Sequence, residues 1–335
     1  MRAFLEQWFL KAWQHDSKLL WFFSPLSLLY HWFAVHRQSR RSVTPPGATP
    51  VVVVGNITVG GSGKTPLLIA MAKQLQREGW YPGIVSRGYG ASAKNYPFTV
   101  SVESNPAECG DEPLLIARET GLPVVVDPFR SRAVAAIKAI PGVNIVLSDD
   151  GLQHYSMART IEIAVVDGVR QFGNHRLLPI GPLREPIARL RGVDIVVVNG
   201  GQTCPDVVQT EPMKIIAGAL KPLNGSAQTQ SLTAPAAVHA VAAIGHPQRF
   251  ADTLEELGYQ VTLHPAPDHA TLSAEQLSQA DGNAVIVTEK DAVKCSTQLL
   301  AEVANPVWAL AVEAQLPDSF WLKLNNLLGQ PQGNE

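Results

Sequence analysis

Four consecutive valines, Val51, Val52, Val53 and Val54, run into Gly55-Asn56-Ile57-Thr58-Val59-Gly60-Gly61-Ser62-Gly63-Lys64-Thr65-Pro66, and this junction constrains the chain more than any other stretch. The valines read as a strand buried on both faces, and residues 67–72 as the start of a helix. Strand, glycine loop and helix in that order make a phosphate cradle. Glycines let successive backbone N–H groups turn inward, the helix N-terminus adds its positive end, Lys64 reaches the β- and γ-phosphate oxygens, and Thr65 offers a hydroxyl to Mg²⁺. Thr58 stands where such loops usually begin with glycine, a place that tolerates other small residues. The nucleotide contacts are therefore assigned to Thr58, Val59, Gly60, Gly61, Ser62, Gly63, Lys64 and Thr65. The competing reading is a glycine-rich turn that merely ends in Lys-Thr.

At 335 residues the chain is long enough for two domains, and the single phosphate loop then belongs to one of them. Net charge is −2, with no basic run beyond residues 37–41, so no electrostatic footprint for nucleic acid is present. Cys109, Cys204 and Cys295 are odd in number, far apart and without metal-ligand spacing. That argues against a disulfide framework or structural zinc and for a reducing compartment. Charged residues make up 17% of the chain, below the roughly 25% usual in soluble proteins, so part of the surface is expected to face something other than water.

That surface is sought at the N-terminus, where Trp8, Trp13, Trp21 and Trp32 place four of the seven tryptophans. Phe4, Leu5, Trp8, Phe9, Ala12 and Trp13 recur at helical spacing, with Glu6 and Lys11 between them. Residues 19–35 then carry no formal charge but include Pro25 and His31, and this is short for a bilayer span. An in-plane or half-inserted anchor is the expectation, and His36, Arg37, Arg40 and Arg41 suit an anionic cytoplasmic leaflet. A signal peptide and a helical hairpin packed on a soluble core are the competing readings.

Beyond the loop, residues 82–86 read as a strand ending in Arg87-Gly88-Tyr89-Gly90, and Gly110-Asp111-Glu112-Pro113 opens a helix. Asp111 reads equally as that helix's N-cap and as a catalytic carboxylate. Residues 123–126 form a further strand, followed by Arg130 and Arg132, either of which could reach a phosphate. The second strong signal is an apolar strand ending in Ser148-Asp149-Asp150-Gly151-Leu152-Gln153-His154. A phosphate loop needs an acidic partner because Mg²⁺ takes its remaining ligands from carboxylates, and Asp149 and Asp150 are assigned to it. His154 orients this loop, touches substrate or is simply structural. Residues 172–186 are too rich in Pro, Gly and charge for regular structure and read as a ligand loop. Asn199, at the end of the next strand, is followed by Gly200-Gly201-Gln202. The Asn-Lys-x-Asp guanine reader is missing, which selects ATP.

Together, the loop from Gly55 to Pro66, Ser86-Arg87-Gly88-Tyr89-Gly90, Gly110-Asp111-Glu112-Pro113, the stretch from Asp149 to His154, and Gly181-Pro182-Leu183-Arg184-Glu185-Pro186 resemble the tetraacyldisaccharide 4'-kinase family. The resemblance covers nearly the whole chain. It implies transfer of the ATP γ-phosphate to the 4'-hydroxyl of a tetraacyl glucosamine disaccharide 1-phosphate, a lipid A precursor, giving lipid IVA. It also implies the cytoplasmic face of a Gram-negative inner membrane, with the membrane surface as the only other partner and no obligate protein partner.

The expected fold is α/β: a membrane-associated helical segment (1–36), a P-loop kinase domain with a parallel sheet (37–210), a two-stranded linker (211–236) and a smaller α/β lobe (237–330). In that lobe Asp268-His269 reads by itself as an exposed turn. The family places this His269 in the active site, paired with Asp111. Lys64, Asp111 and His269 are thus the catalytic set, Thr65, Asp149, Asp150 and Glu185 the metal set, and Arg87, Gln153 and Arg184 candidates for phosphate or sugar contacts. The rival is a membrane-associated P-loop ATPase switch. Such switches carry a second lysine just before the paired glycines, where this chain has Val59. A metallochaperone-type GTPase would need the missing guanine reader and Cys/His ligands.

Overall fold

The computed structural model describes residues 9, 12, 13, 17–39, 47–200, 204–268, 270–279 and 281–330. Several expected features therefore lie outside the described residues: His269, Trp8 with most of the first amphipathic stretch, and Arg40 with Arg41. The chain forms two compact units, Met1–Ile215 with Ala314–Glu335, and Ile216–Glu313.

In the first unit a six-residue 3₁₀ segment, Lys18–Phe23, leads into helix α1 (Ser24–Ser39). Then follow β1 (Val51–Gly55), α2 (Lys64–Arg77), β2 (Pro82–Ser86), β3 (Phe98–Val100), α3 (Asp111–Thr120), β4 (Val124–Val126), α4 (Arg130–Lys138), β5 (Ile145–Asp149), β6 (Ile161–Asp167), β7 (Ile195–Asn199) and the first part of β8 (Glu211–Pro222), which continues past Ile215 into the second unit. Strand order is β8-β7-β6-β1-β5-β2-β4-β3. All neighbours are parallel except β3, which runs antiparallel to β4 at the edge. The valine-rich strands are buried on both faces, with Val51, Val52, Val53 and Val54 fully inaccessible, as helices on both sides of a parallel sheet require. Helix α2 turns Leu67, Leu68, Met71, Ala72 and Leu75 inward, one apolar stripe at helical spacing.

The topology positions the site. Strands β5 and β6, consecutive in the chain, lie on opposite sides of β1, so the winding direction reverses there. Open α/β sheets bind ligands in the crevice beyond the carboxyl ends of strands at such a reversal. Val54 pairs in register with Asp149 and Gly55 with Ala164, which sets the β5 carboxylate beside the start of the glycine loop.

The charge-free stretch 19–35 is not one helix: it is broken at Ser24, where the 3₁₀ segment ends and α1 begins. Its apolar residues face outward, with Leu19, Trp21, Phe22, Leu26, Leu28, Leu29, Trp32, Phe33 and Val35 all exposed. Leu20, by contrast, is buried with Ala12 and Ile180. Among the described residues no helix is long and apolar enough to cross a membrane.

The second unit contains β9 (Ala237–Ala242), α5 (Pro247–Glu256), β10 (Gln260–Pro265), β11 (Ala284–Thr288) and most of β12 (Val307–Gln315). Its strands are parallel in the order β10-β9-β11-β12. Of the two extended arms expected in 211–236, β8 is one; residues 231–233 carry no strand. The last helix, α6 (Asp318–Leu328), groups with the first unit rather than with the smaller lobe and buries Phe320 and Leu324.

Candidate active site

The loop between β1 and α2 has the backbone its glycines predict. Gly60 and Gly63 sit at φ 94° and 92°, a left-handed conformation that side chains with a Cβ adopt at a cost. Space is tight as well: a Cβ on Gly63 would lie 2.6 Å from Asn199 Nδ2, and one on Gly60 2.8 Å from Arg170 Nη1, so these side chains would have to shift. These two neighbours hold the loop from outside. Asn199 Nδ2 donates to the Ser62 carbonyl at 3.1 Å, and Arg170 donates to the Gly61 carbonyl while pairing with Asp167 at 3.3 Å. The proline-rich loop rests on the same segment: Val59 N–H donates to the Pro182 carbonyl at 2.9 Å, and Arg184 N–H to that of Ile57 at 2.7 Å. Helix α2 has no side-chain cap and no acidic residue in its first turn, so its positive end stays available to an anion.

Lys64, in that first turn, places Nζ 3.7 Å from Asp150 Oδ1. Asp150 also takes Arg184 Nη1 at 3.0 and 3.2 Å on its two oxygens. Burial works to raise the Asp150 pKa, but Lys64 and Arg184 outweigh it and bring the group down to about 2. Its neighbour Asp149 goes the other way, up to about 7, through burial first and then the charges of Glu112 and Asp150. Ser86 Oγ donates to Asp149 Oδ2 at 3.2 Å, whereas buried Asp149 Oδ1 has no partner among the described residues. An ionisable oxygen left bare in the interior is expensive unless something cationic binds it. The donor set fits Mg²⁺, which keeps several waters and needs only one or two carboxylates besides phosphate oxygens. A cluster of three or more His, Cys, Asp or Glu able to hold a metal does not occur among the described residues.

Glu185 is 3% exposed. Tyr155 Oη donates to its Oε1, and Gln153 Nε2 donates to its Oε2 at 3.0 Å and to the Asn56 carbonyl at 2.9 Å. Gln153, a candidate for phosphate or sugar contacts, also braces the end of β1 against Glu185. Arg184 is likewise engaged with Asp150. Arg87 is exposed at the end of β2. His154 is driven down to about 4 by burial and then by Arg130 and Arg87, which keeps it neutral at physiological pH.

Asp111 is not the cap of α3. Gly110, at φ 91°, holds that position, and Asp111 with Glu112 fills the first turn, where the helix dipole favours a carboxylate. A Cβ on Gly110 would come 3.3 Å from the Tyr89 carbonyl, so the loops 87–90 and 110–113 meet backbone to backbone. Helix α1 also touches the site: Tyr30 Oη donates to the Arg184 carbonyl at 3.1 Å and Arg37 Nη2 to the Gln153 carbonyl at 3.2 Å.

No motif in the sequence points to Tyr155, Arg170 or Arg189, and Asn199 marks there only the place of the missing guanine reader. A usable signal existed for Glu162, a lone carboxylate inside the apolar run of β6 that is 1% exposed. Arg130, noted as able to reach a phosphate, is buried and donates to the Asp149 carbonyl.

Residues 19–329 match the profile of the tetraacyldisaccharide-1-P 4'-kinase family. The chain belongs to that family. Curated tetraacyldisaccharide 4'-kinases are similar along most of their length. The one from Nitrosococcus oceani is 42% identical over 332 residues, covering 96% of this chain and 94% of that one. Those from Aeromonas salmonicida (45%; 92% and 93% covered) and a Vibrio cholerae strain (46%; 89% and 87%) agree. The fold is similar to a crystal structure of LpxK from Aquifex aeolicus in complex with ATP, with a TM-score of 0.72 and 25% identity over 92% of this chain and 99% of that one. Membership in the 4'-kinase family makes this chain a phosphotransferase that phosphorylates a hydroxyl group in lipid A biosynthesis.

Proposed function

We propose that the chain binds ATP with Mg²⁺ on the loop between β1 and α2 and transfers the γ-phosphate to the 4'-hydroxyl of a tetraacyl glucosamine disaccharide 1-phosphate, giving lipid IVA. The observation that carries this reading is the uncapped α2 N-terminus bearing Lys64 next to Asp149, whose buried Oδ1 lacks a partner among the described residues. ATP rather than GTP is supported by Asn199, which spends its amide on the Ser62 carbonyl, and by the ATP in the Aquifex aeolicus structure.

Phosphoryl transfer asks chiefly for positioning and charge neutralisation. Backbone N–H groups of residues 58–65 would cradle the phosphates, and Lys64 would neutralise the β- and γ-oxygens. Thr65, Asp149, Asp150 and Glu185 would hold Mg²⁺. Bound there, the ion would supply positive charge that offsets the negative charge developing in the transition state. Lys64 and then Arg184 hold the Asp150 pKa below its ordinary value; Arg87, Arg184 and Gln153 remain the candidates beside phosphate or sugar. Asp111 and His269 would handle the 4'-hydroxyl proton, one accepting it and the other tuning its partner.

The same reading places the chain on the cytoplasmic face of a Gram-negative inner membrane. Support comes from the outward apolar side chains of residues 19–35, which suit an in-plane helix better than water. The membrane-switch alternative is not favoured, since family membership supplies an acceptor and Val59 replaces the lysine such switches use. The decisive test is ATP-dependent phosphorylation of tetraacyl disaccharide 1-phosphate in detergent micelles, comparing the parent chain with Asp149→Ala/Asp150→Ala. The parent should form product, and the double variant should lose at least ~100-fold in rate. Parent protein that hydrolyses ATP on bare vesicles without phosphorylating the disaccharide would overturn the assignment.

A further inference from the structure

Behind Glu185 lies a polar chain that the phosphate loop does not require. Glu162, on β6, accepts Arg189 Nη2 at 2.6 Å and Arg159 Nη1 at 2.7 Å. Arg189 Nε donates to Tyr155 Oη at 3.1 Å, and Tyr155 passes its own proton to a hydrogen bond with Glu185 Oε1. Two guanidinium groups lie near the ring of Tyr155, with Arg159 Cζ 5.3 Å and Arg189 Cζ 5.7 Å from its centroid. Tyr155, Glu185, Arg189 and Glu162 are buried, at 4%, 3%, 7% and 1% exposed, and Arg159 is half-buried.

Burying this much charge is costly, and hydrophobic residues of similar volume would often do as well for stability. What the chain does provide is orientation. A carboxylate has about four lone-pair positions. In Glu185 one oxygen is held by Tyr155 and the other by Gln153, so its plane is fixed while lone pairs remain for a further ligand. Among the described residues the side-chain groups that hydrogen-bond the Glu185 carboxylate are this phenol and this amide.

We propose that Tyr155 and Arg189 are positioning residues that aim the Glu185 carboxylate at the divalent cation of the kinase reaction, with Glu162 as their anchor in the sheet. The proposal rests on the reading of Glu185 as a group beside that cation. Tyr155 accepts from a cationic donor and donates to an anionic acceptor, and both bonds are strengthened by the charge at their far ends. Removing the hydroxyl leaves the ring packed and the Arg–Glu162 pairs intact but lets Glu185 turn.

The experiment is Mn²⁺ titration by electron paramagnetic resonance on the full chain in micelles, saturated with a non-hydrolysable ATP analogue, for the parent, Tyr155→Phe, Arg189→Lys, Glu185→Gln and Tyr155→Phe/Glu185→Gln. Tyr155→Phe should weaken Mn²⁺ about tenfold, the loss usual when a group orienting a metal ligand is removed. Analogue affinity measured in EDTA should stay within about twofold, so that a merely unstable variant is distinguished. Arg189→Lys keeps a charge for Glu162 and should show a smaller loss; it also serves if Tyr155→Phe does not fold. The double variant should be no worse than Glu185→Gln, because both changes act through one carboxylate. Unchanged Mn²⁺ affinity in Tyr155→Phe and Arg189→Lys beside a loss in Glu185→Gln overturns the proposal and spares the reading of Glu185. Additive losses overturn it too. An unchanged Glu185→Gln overturns that reading and the proposal with it.

Discussion

Asp149 and Asp150 are adjacent in the chain and shift in opposite directions: burial works to raise both, but Glu112 and Asp150 add to it at Asp149 whereas Lys64 and Arg184 outweigh it at Asp150. For Asp149 the folded value of about 7 lies above the ordinary 3.8. Below about pH 4 both folded and unfolded states hold the proton; as pH rises to about 7 only the folded state keeps it, so stability falls through that window and the cost is complete above it. Asp149→Asn should therefore raise the melting temperature of nucleotide-free protein at pH 8 by about 3 °C or more, and hardly at all at pH 4, while abolishing kinase activity. Equal shifts at both pH values would show that Asp149 does not titrate as described. Asp111→Ala and His269→Ala should each lower turnover at least ~100-fold with ATP affinity nearly intact; loss of ATP binding in both would contradict a role in proton transfer.

At the scale of elements, the loop between β1 and α2 behaves as one half of a joint. Its inner side was legible from glycine spacing, since the positive φ of Gly60 and Gly63 is what those residues permit. Its outer side was not legible, because Arg170, Asn199 and Pro182 reach it from three other segments of the chain. Gly63→Ala brings a Cβ into a positive-φ position and to within 2.6 Å of Asn199 Nδ2. ATP affinity measured by titration should fall about tenfold or more, with little change in far-ultraviolet dichroism. If Asn199→Ala in the same chain restores binding, steric pressure on the brace is the cause; if not, backbone strain dominates. Helix α1 shows the converse case: its apolar composition was plain, but its hydrogen bonds from Tyr30 and Arg37 to the loops carrying Arg184 and Gln153 were not.

For the whole molecule, net charge −2, pI about 6.5 and an exposed apolar segment act together. A weakly charged chain with a large apolar patch associates. In detergent-free buffer near pH 6.5 it should elute from size-exclusion columns mainly as aggregates, and micelles or Trp32→Ser/Phe33→Ser should shift it toward smaller species. Elution as a monomer without detergent would argue against an in-plane membrane face. The sequence by itself determined the parallel α/β class, the phosphate loop and the acidic strand end. Those features are local: a run of valines, a glycine spacing or a helix start depends on a few neighbouring residues and shows in their order. Tertiary structure alone decided that β5 and β6 flank β1, that Asp150 is ion-paired while one oxygen of Asp149 has no partner among the described residues, and that Glu185 is held through Tyr155 and Arg189 from β6. Strand order, burial and charge pairing join residues far apart in the chain, and no local pattern encodes which distant partner a side chain will meet.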